Sequence, residues 1–142
     1  MARHRRWIVA LGSLVALLLL PACREASSES TDGYEPAVLE PIDGTELSRV
    51  ILTEDAAHRI RLETASVTSV GDRLTVPDSA IWIDESGETW VYTEVEPLVF
   101  VRAAIRVDRY EDGIAVLSEG PPAGTIVATV GVAELIGVES GL

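Results

Sequence analysis

Side chains suited to nucleophilic or acid–base catalysis are scarce in this sequence of 142 residues. It has one cysteine, Cys23, and two histidines, His4 and His58. A hydrolytic site needs a nucleophile, a base and a group that orients the base, and no histidine and serine pair here has an obvious orienting acid. His58 follows two alanines in a short predicted helix, where a solvent-facing histidine is expected. We therefore predict that the chain is not an enzyme.

Three adjacent acid pairs carry the carboxylate oxygens that calcium prefers, but their spacing does not fit a calcium-binding loop. The pairs are Glu54-Asp55, Asp84-Glu85 and Glu111-Asp112, and none has acids at every second position. They are expected to start a helix or to form turns. Met1 is the sole methionine, so a soft-metal site lacks ligands. No metal site and no cofactor are predicted.

The amino-terminal segment has the order of regions found in a secretory signal. A basic stretch, Met1–Arg6, precedes a predominantly apolar run of 14 residues from Trp7 to Leu20. As a helix this run would reach roughly 21 Å, which is shorter than a hydrocarbon core of about 30 Å. We predict a signal peptide over residues 1–22. The alternatives are an uncleaved anchor helix and an ordinary signal cut after Ala22, but neither gives Cys23 a role.

The sequence Leu20-Pro21-Ala22-Cys23 resembles the lipobox of bacterial lipoproteins. The resemblance implies that Cys23 receives a lipid, becomes the first residue after cleavage, and anchors the protein to the extracytoplasmic face of the cell membrane. Several acyl chains bind a bilayer stably where one chain does not, because each buried CH₂ contributes about 0.8 kcal/mol. A lone cysteine also cannot form an intramolecular disulfide bond.

The charge of the chain argues against binding to nucleic acid. The formal net charge is −12, and it becomes −15 when the three arginines of residues 1–22 are removed. All 11 basic residues are arginine. A strongly acidic surface repels phosphates and anionic lipid headgroups, so no nucleic acid partner is expected. The charge also keeps an exported domain soluble, which is the simpler explanation for it.

Residues 23–48 are predicted to form a flexible tether, and residues 49–142 a single small domain. The tether is polar, contains prolines and glycines, and lacks an apolar period. In the domain, residues 49–52 are expected to form a strand, and Thr53 is expected to cap a short helix that ends near Arg59. Strand-like alternation returns over residues 60–70. The segment 130–136 is expected to close the domain as a strand or as one helical turn.

From Arg73 onward, short runs of β-branched and aromatic residues alternate with turn sequences. Strands of this length and spacing predict a mainly β domain, a small barrel or sandwich of antiparallel strands with one short helix. The turn Asp84–Gly87 should place Trp90 opposite Ile81 or Trp82. The predicted strands include 74–77, 80–83, 89–93, 99–101, 105–107, 114–117 and 125–128.

The segment from Leu74 to about Glu139 resembles the membrane-proximal, SH3-like carboxy-terminal domain of efflux periplasmic adaptor subunits, also called membrane fusion proteins of the HlyD-like kind. The stretch from Leu52 to Val67 is similar to the one that opens the mature part of such adaptors. The matching pieces are Val76-Pro77-Asp78-Ser79-Ala80-Ile81, Gly87-Glu88-Thr89-Trp90-Val91-Tyr92, residues 100–107, residues 113–120, Gly124-Thr125-Ile126-Val127 and Val130-Gly131-Val132-Ala133-Glu134-Leu135.

The chain lacks two parts that full adaptors have, a lipoyl-like domain and a long α-helical hairpin. The residues from Val70 to Arg73 stand where both would be inserted, and no heptad pattern follows Cys23. The resemblance therefore implies a subunit that cannot bridge two membranes. It retains the part of an adaptor that lies against a transporter.

The expected function is that of a non-catalytic accessory subunit of a membrane transport or efflux system. Arg102, Arg106 and Arg109 are candidate contacts with an acidic rim of the transporter, although intramolecular ion pairs would also account for them. The alternative function is a stand-alone envelope lipoprotein that binds a small ligand or a cell-envelope component. Four aromatic residues could form a ligand platform, but their spacing favours the core: Trp82, Trp90, Tyr92 and Phe100.

Overall fold

The computed structural model describes residues 35–141, which contain ten strands and two α-helices. The strands are β1 (Ala37–Pro41), β2 (Ser48–Leu52), β3 (Glu63–Ser66), β4 (Thr68–Val70), β5 (Arg73–Pro77), β6 (Trp82–Ile83), β7 (Thr89–Glu96), β8 (Val99–Glu111), β9 (Ile114–Glu119) and β10 (Ile126–Val130). The helices are α1 (Glu54–Arg59) and α2 (Val132–Ser140), and a 3₁₀ turn covers Asp78–Ala80. The predicted mainly β fold is confirmed.

The sheet curls into a nearly closed antiparallel barrel. Its strand order is β3-β10-β7-β8-β9-β5-β4, so the two ends of the sheet are strands that follow each other in the chain. Val67 is the single residue between β3 and β4. Its N–H donates to the carbonyl of Thr125 (2.7 Å), and its carbonyl accepts from the N–H of Gly124 (2.8 Å), so the loop before β10 fixes this position. Strand β8 is long enough to pair with β7 and then with β9, and its register shifts between Arg106 and Arg109. This irregularity turns the sheet back on itself.

Apolar side chains fill the barrel interior. They come from alternate positions of the strands, because successive side chains of a strand point to opposite faces. Val91 and Val127 are fully buried here, and the polar neighbour Thr93 satisfies its hydroxyl by donating to the carbonyl of Val101 (2.9 Å). The interior cluster consists of Val67, Val76, Ala80, Val91, Ile105, Ala115, Leu117 and Val127.

A second apolar layer covers the outside of the barrel at β7, β8 and β10. Helices α1 and α2 and the β1–β2 hairpin supply it, and β2 joins the sheet through the pairs Val50–Phe100 and Ile51–Val99. Leu135 of α2 is fully buried in this layer. The buried residues of this outer core are Val50, Leu52, Ala57, Tyr92, Phe100, Ala128 and Leu135.

Two local predictions are confirmed in detail. Thr53 caps α1, with its Oγ1 accepting a hydrogen bond of 3.1 Å from the N–H of Ala56. Trp90 lies opposite Trp82 in the β6–β7 hairpin. In both cases short-range chemistry determines the geometry, since a capping hydroxyl and a short turn act over a few residues.

The structure differs from the sequence prediction in two segments. Residues 37–41, predicted as tether, form strand β1, because pairing with β2 satisfies their backbone and Ala37 packs on the outer core. The closing segment, expected as a strand or one helical turn, is a helix of nine residues. Gly131 precedes it and Gly141 ends it, both with positive φ. Val132, Leu135 and Ile136 recur at helical spacing, which places them on the outer core.

The predicted signal peptide and lipidated Cys23 lie outside the described residues. Within residues 35–141, no helix has the length and apolar character needed to cross a membrane.

Candidate functional site

The carboxylate of Glu139 connects helix α2 to the barrel wall. It accepts a hydrogen bond of 2.6 Å from the hydroxyl of Tyr92, and its other oxygen lies 3.3 Å from Nε of Arg102. This Nε is buried and close enough for an ion pair, although it is not aligned as a hydrogen-bond donor. Burial, together with the bond to Glu139, raises the pKa of the Tyr92 hydroxyl far above its usual value. Tyr92 therefore remains neutral and donates.

The guanidinium of Arg102 also lies over the indole ring of Trp90. Its central carbon is 4.8 Å from the ring centroid, within the range of a cation–π contact. A further contact of 3.3 Å joins Nη2 of Arg102 to the carbonyl of Glu46. The Arg102 side chain is 22% exposed. Arg102 is therefore half-buried between Glu139 and Trp90, and its contact with a partner stays a prediction.

Asp84 binds the N–H edge of the Trp90 ring. Nε1 of Trp90 donates to Oδ2 of Asp84 (2.9 Å), while Oδ1 accepts from Ser86 Oγ (2.6 Å) and from the N–H groups of Ser86 and Glu88 (both 2.9 Å). These donors, the Ser86 hydroxyl first and the indole second, lower the pKa of Asp84 to about 2. The carboxylate is thus charged at neutral pH and keeps the indole in one orientation.

The two strands of the β6–β7 hairpin each carry a half-buried tryptophan, and each tryptophan lines its own surface groove. Trp90 lines a groove of about 510 Å³ together with Glu88, Ala104, Arg106 and Glu119. Trp82 lines a second groove of about 510 Å³, with Ile83, Asp84 and Ser86 on one side and Ile136 and Ser140 of α2 on the other. Trp82 is also stacked on Tyr92, with ring centroids 6.3 Å apart and planes inclined by 13°. Tyr92 and Phe100 are core residues, as the sequence favoured.

The other two predicted contact residues are exposed and have intramolecular partners. Nε of Arg106 lies 3.3 Å from Glu119 on the neighbouring strand. Arg109 pairs with Glu111 at 2.6 Å and with Asp108 at 3.6 Å. The three arginines do not form one patch, because Arg106 lines the Trp90 groove and Arg109 lines a groove on another part of the sheet.

That third groove lies on the outer surface of β4, β5, β9 and the end of β8. Register places four residues in a row across these strands: Thr68, Thr75, Val116 and Arg109. The groove has a volume of about 420 Å³. We call it the docking face and define it by the residues Val70, Arg73, Arg109, Ile114 and Val116.

Two apolar side chains of the docking face are open to solvent. Val70 is 69% exposed and Ile114 is 39% exposed. Arg73 and Arg109 lie beside them and share Asp108, each at 3.6 Å from Oδ2. The face thus combines exposed apolar groups with guanidinium groups, and the carboxylates of Glu111 and Asp112 line the same groove.

His58 is exposed on α1, as predicted, and lines a shallow groove of about 560 Å³. Arg61 and Leu98 line the same groove and adopt left-handed backbone conformations, with φ of 53° and 62°. Both conformations have local causes. Arg61 follows the end of α1, with its N–H and that of Leu62 bonded back to His58 and Ala57. Leu98 is the second residue of the Pro97-Leu98 turn between β7 and β8.

The acid pairs occupy the structural positions expected of them. Glu54 and Asp55 lie in the first turn of α1, and Asp84 begins the turn before β7. Glu111 ends β8, and Asp112 lies in the β8–β9 turn. Among the described residues, no three side chains of the types His, Cys, Asp and Glu come together in a way that could hold a metal ion.

Sequence reasoning did not identify Glu139 as a functional position. One signal points to it, since Glu139 falls seven residues after Val132 and shares its helical face with Leu135 and Ile136. A carboxylate on an apolar helical face requires a polar partner, which Tyr92 and Arg102 provide.

In comparisons with known proteins, no family model, curated protein or solved structure matches this chain.

Proposed function

We propose that this protein is a lipid-anchored, non-catalytic accessory subunit of a membrane transport or efflux system. The lipid is attached to Cys23, and the β domain contacts the extracytoplasmic part of a transporter through the docking face. The observation that carries the proposal is the exposure of Val70 and Ile114 beside Arg73 and Arg109. The lipobox-like sequence and the resemblance to adaptor domains support it from the sequence.

The composition of the docking face favours a protein partner. Exposed apolar groups gain free energy when a partner removes them from water. Arg73 and Arg109 are paired with Asp108 and Glu111, so the face carries charges of both signs and favours a partner whose contact surface also carries both.

The filled barrel also favours a protein contact over an enclosed ligand. Small-ligand sites are usually concave and bury most of the ligand surface. Here the interior residues Val67, Val91, Ala115 and Val127 are 0–1% exposed, which leaves the barrel axis occupied by side chains. Binding at the docking face requires no rearrangement of this core.

Site-specific photo-crosslinking in intact cells tests the proposal. A photoreactive amino acid replaces Val70 or Ile114 in the lipidated protein, and the cross-linked products are identified by mass spectrometry. We expect a polytopic transporter to be recovered from both positions. Val95 is the matched control, since it is also an exposed valine, at the end of β7 and outside the docking face.

Two further variants separate docking from anchoring. Cys23→Ser removes the lipid site and should reduce recovery of the transporter. Arg109→Glu reverses a charge of the docking face, whereas Arg106→Glu reverses an exposed, ion-paired charge elsewhere on the same strand. Recovery should fall for Arg109→Glu and not for Arg106→Glu. The proposal is wrong if Val70 and Ile114 yield no transporter, or if Val95 yields the same product equally well.

A further inference from the structure

We propose that Trp82 and Trp90 form the floor of a binding cleft for a neutral glycan, separate from the docking face. The two residues are register partners in the β6–β7 hairpin, and each lines its own groove of about 510 Å³. Side chains directly opposite on antiparallel strands are about 5 Å apart at Cβ. Neighbouring sugar rings of one chain would therefore meet two aromatic side chains in succession.

The chemistry of the Trp90 groove fits one pyranose ring. Such a ring has an apolar face of C–H groups and a polar rim of hydroxyls, so it needs an aromatic surface bordered by hydrogen-bonding groups. Trp90 supplies the surface, and Glu88, Arg106 and Glu119 supply charged acceptors and donors at the border. The groove thus pairs an apolar floor with a polar rim.

The Trp82 groove repeats this arrangement. Ile83 and Ile136 add apolar surface next to the indole, while Asp84, Ser86 and Ser140 add carboxylate and hydroxyl groups. Ser140 belongs to α2, so the helix contributes one side of this groove. Because Trp82 and Trp90 are register partners, two grooves that each contain an indole and polar groups favour an oligosaccharide over a single compact ligand.

The Trp90 ring is held in place before any ligand arrives. Its Nε1 is bonded to Asp84, and Arg102, itself bound to Glu139, lies 4.8 Å from its centroid. A side chain that is already ordered loses less conformational entropy on binding, so more of the contact free energy appears as affinity.

Ala104 leaves space beside the ring. It is the register partner of Trp90 on β8, it lines the groove, and it is exposed to solvent. A larger side chain at this position would fill the groove without touching the core. This position therefore gives a test that does not depend on removing a tryptophan.

Charge selects neutral glycans over anionic ones. The rim of the Trp90 groove carries two carboxylates and one guanidinium, and Asp84 and Glu85 add negative charge to the Trp82 groove. Like charges across an interface disfavour association. Uronic-acid and phosphorylated glycans are excluded on this ground.

Calorimetric titration of the lipidated protein in detergent tests the inference. The probes are the β-1,4-linked tetramers of N-acetylglucosamine and of glucose, with tetragalacturonate as the anionic comparison. We expect saturable binding of a neutral tetramer, accompanied by a change in tryptophan fluorescence, and no binding of tetragalacturonate. The absence of saturable binding of both neutral tetramers would overturn the inference.

Three variants locate the binding. Trp90→Ala and Ala104→Gln should each weaken binding of the neutral tetramer at least tenfold, the first by removing the floor and the second by filling the groove. Tyr110→Ala removes an exposed aromatic side chain outside both grooves and should leave the affinity unchanged. Because Ala104 is exposed, its variant retains the fold and is decisive where Trp90→Ala unfolds. Unchanged affinity in Ala104→Gln would overturn the inference. Transporter recovery at Val70 and Ile114 is a separate readout that neither groove variant should alter.

Discussion

The hydroxyl of Tyr92 donates a hydrogen bond of 2.6 Å to Glu139, a residue 47 positions later in the chain. The contact joins the middle of strand β7 to the last turn of helix α2. Glu139 also pairs with Arg102, which in turn lies over Trp90. One carboxylate therefore ties α2 to both central strands and to the wall of the Trp90 groove.

Removing this carboxylate should destabilise the domain more than removing an exposed one. Glu139→Ala leaves the buried Tyr92 hydroxyl without its acceptor and the Arg102 guanidinium without its ion-pair partner. We expect the free energy of unfolding to fall by about 2 kcal/mol. Glu119→Ala, which breaks the exposed pair with Arg106, should change it by about 0.5 kcal/mol or less. Urea unfolding followed by circular dichroism measures both. Equal effects would contradict the assigned role of Glu139.

The raised pKa of Tyr92 predicts a loss of stability at alkaline pH. The folded protein keeps the Tyr92 proton at pH values where the unfolded chain, with a tyrosine pKa of about 10, loses it. The free energy of unfolding should therefore be independent of this group below about pH 10 and decrease above it. Tyr92→Phe should remove that part of the decrease, and Tyr110→Phe, at an exposed position, should not. A steep alkaline loss retained in Tyr92→Phe would assign it to other groups.

The lowered pKa of Asp84 predicts the opposite pH dependence of stability, a loss at acidic pH. Its pKa of about 2 lies below the value of about 3.9 for an unfolded aspartate, so its contribution is present above about pH 4 and is lost as the pH falls through about 2. Ser86→Ala removes the hydroxyl that lowers this pKa most and should raise it, as NMR titration of the carboxyl can measure. Ser79→Ala, in the 3₁₀ turn, is the control. The indole N–H resonance of Trp90 should shift with the Asp84 titration, and an unaffected resonance would exclude their bond.

A glycine at position 61 should stabilise the protein. Arg61 has a φ of 53° after the end of α1, a conformation that costs a residue with a Cβ atom about 1 kcal/mol. Arg61→Gly should therefore increase the free energy of unfolding by about 1 kcal/mol. Arg61→Ala removes the same charge but keeps the Cβ atom, so it should give no such gain. A gain in both variants would show that the charge, and not the backbone, is responsible.

A glycine at position 98 should have the opposite effect despite a similar backbone. Leu98 has a φ of 62°, but its side chain packs on the outer core. Loss of a partly buried leucine costs about 2 kcal/mol, which exceeds the relief of about 1 kcal/mol from the backbone. Leu98→Gly should therefore lower the free energy of unfolding by about 1 kcal/mol. Increased stability in thermal or urea unfolding would contradict this balance.

Local features of the fold were predictable from the sequence because they depend on neighbouring residues. The Thr53 cap, the Trp82–Trp90 pairing and the run of short strands follow from capping, turn and alternation rules that act over a few positions. Strand β1 was not predictable in this way. Its residues show no alternation of their own and become a strand by pairing with β2.

The chemistry of the candidate site required the tertiary structure. The sequence by itself determined which residue types were present, including the arginines, tryptophans and acids of β6 to β8 and the single Cys23. Only the fold decided that Arg102 turns inward to Glu139, that Arg106 and Arg109 lie in different grooves, and that Val67 brings the two ends of the sheet together. The reason is that ion pairs and grooves depend on contacts between residues far apart in the chain, and these contacts become definite when the barrel closes and α2 packs on its outer core.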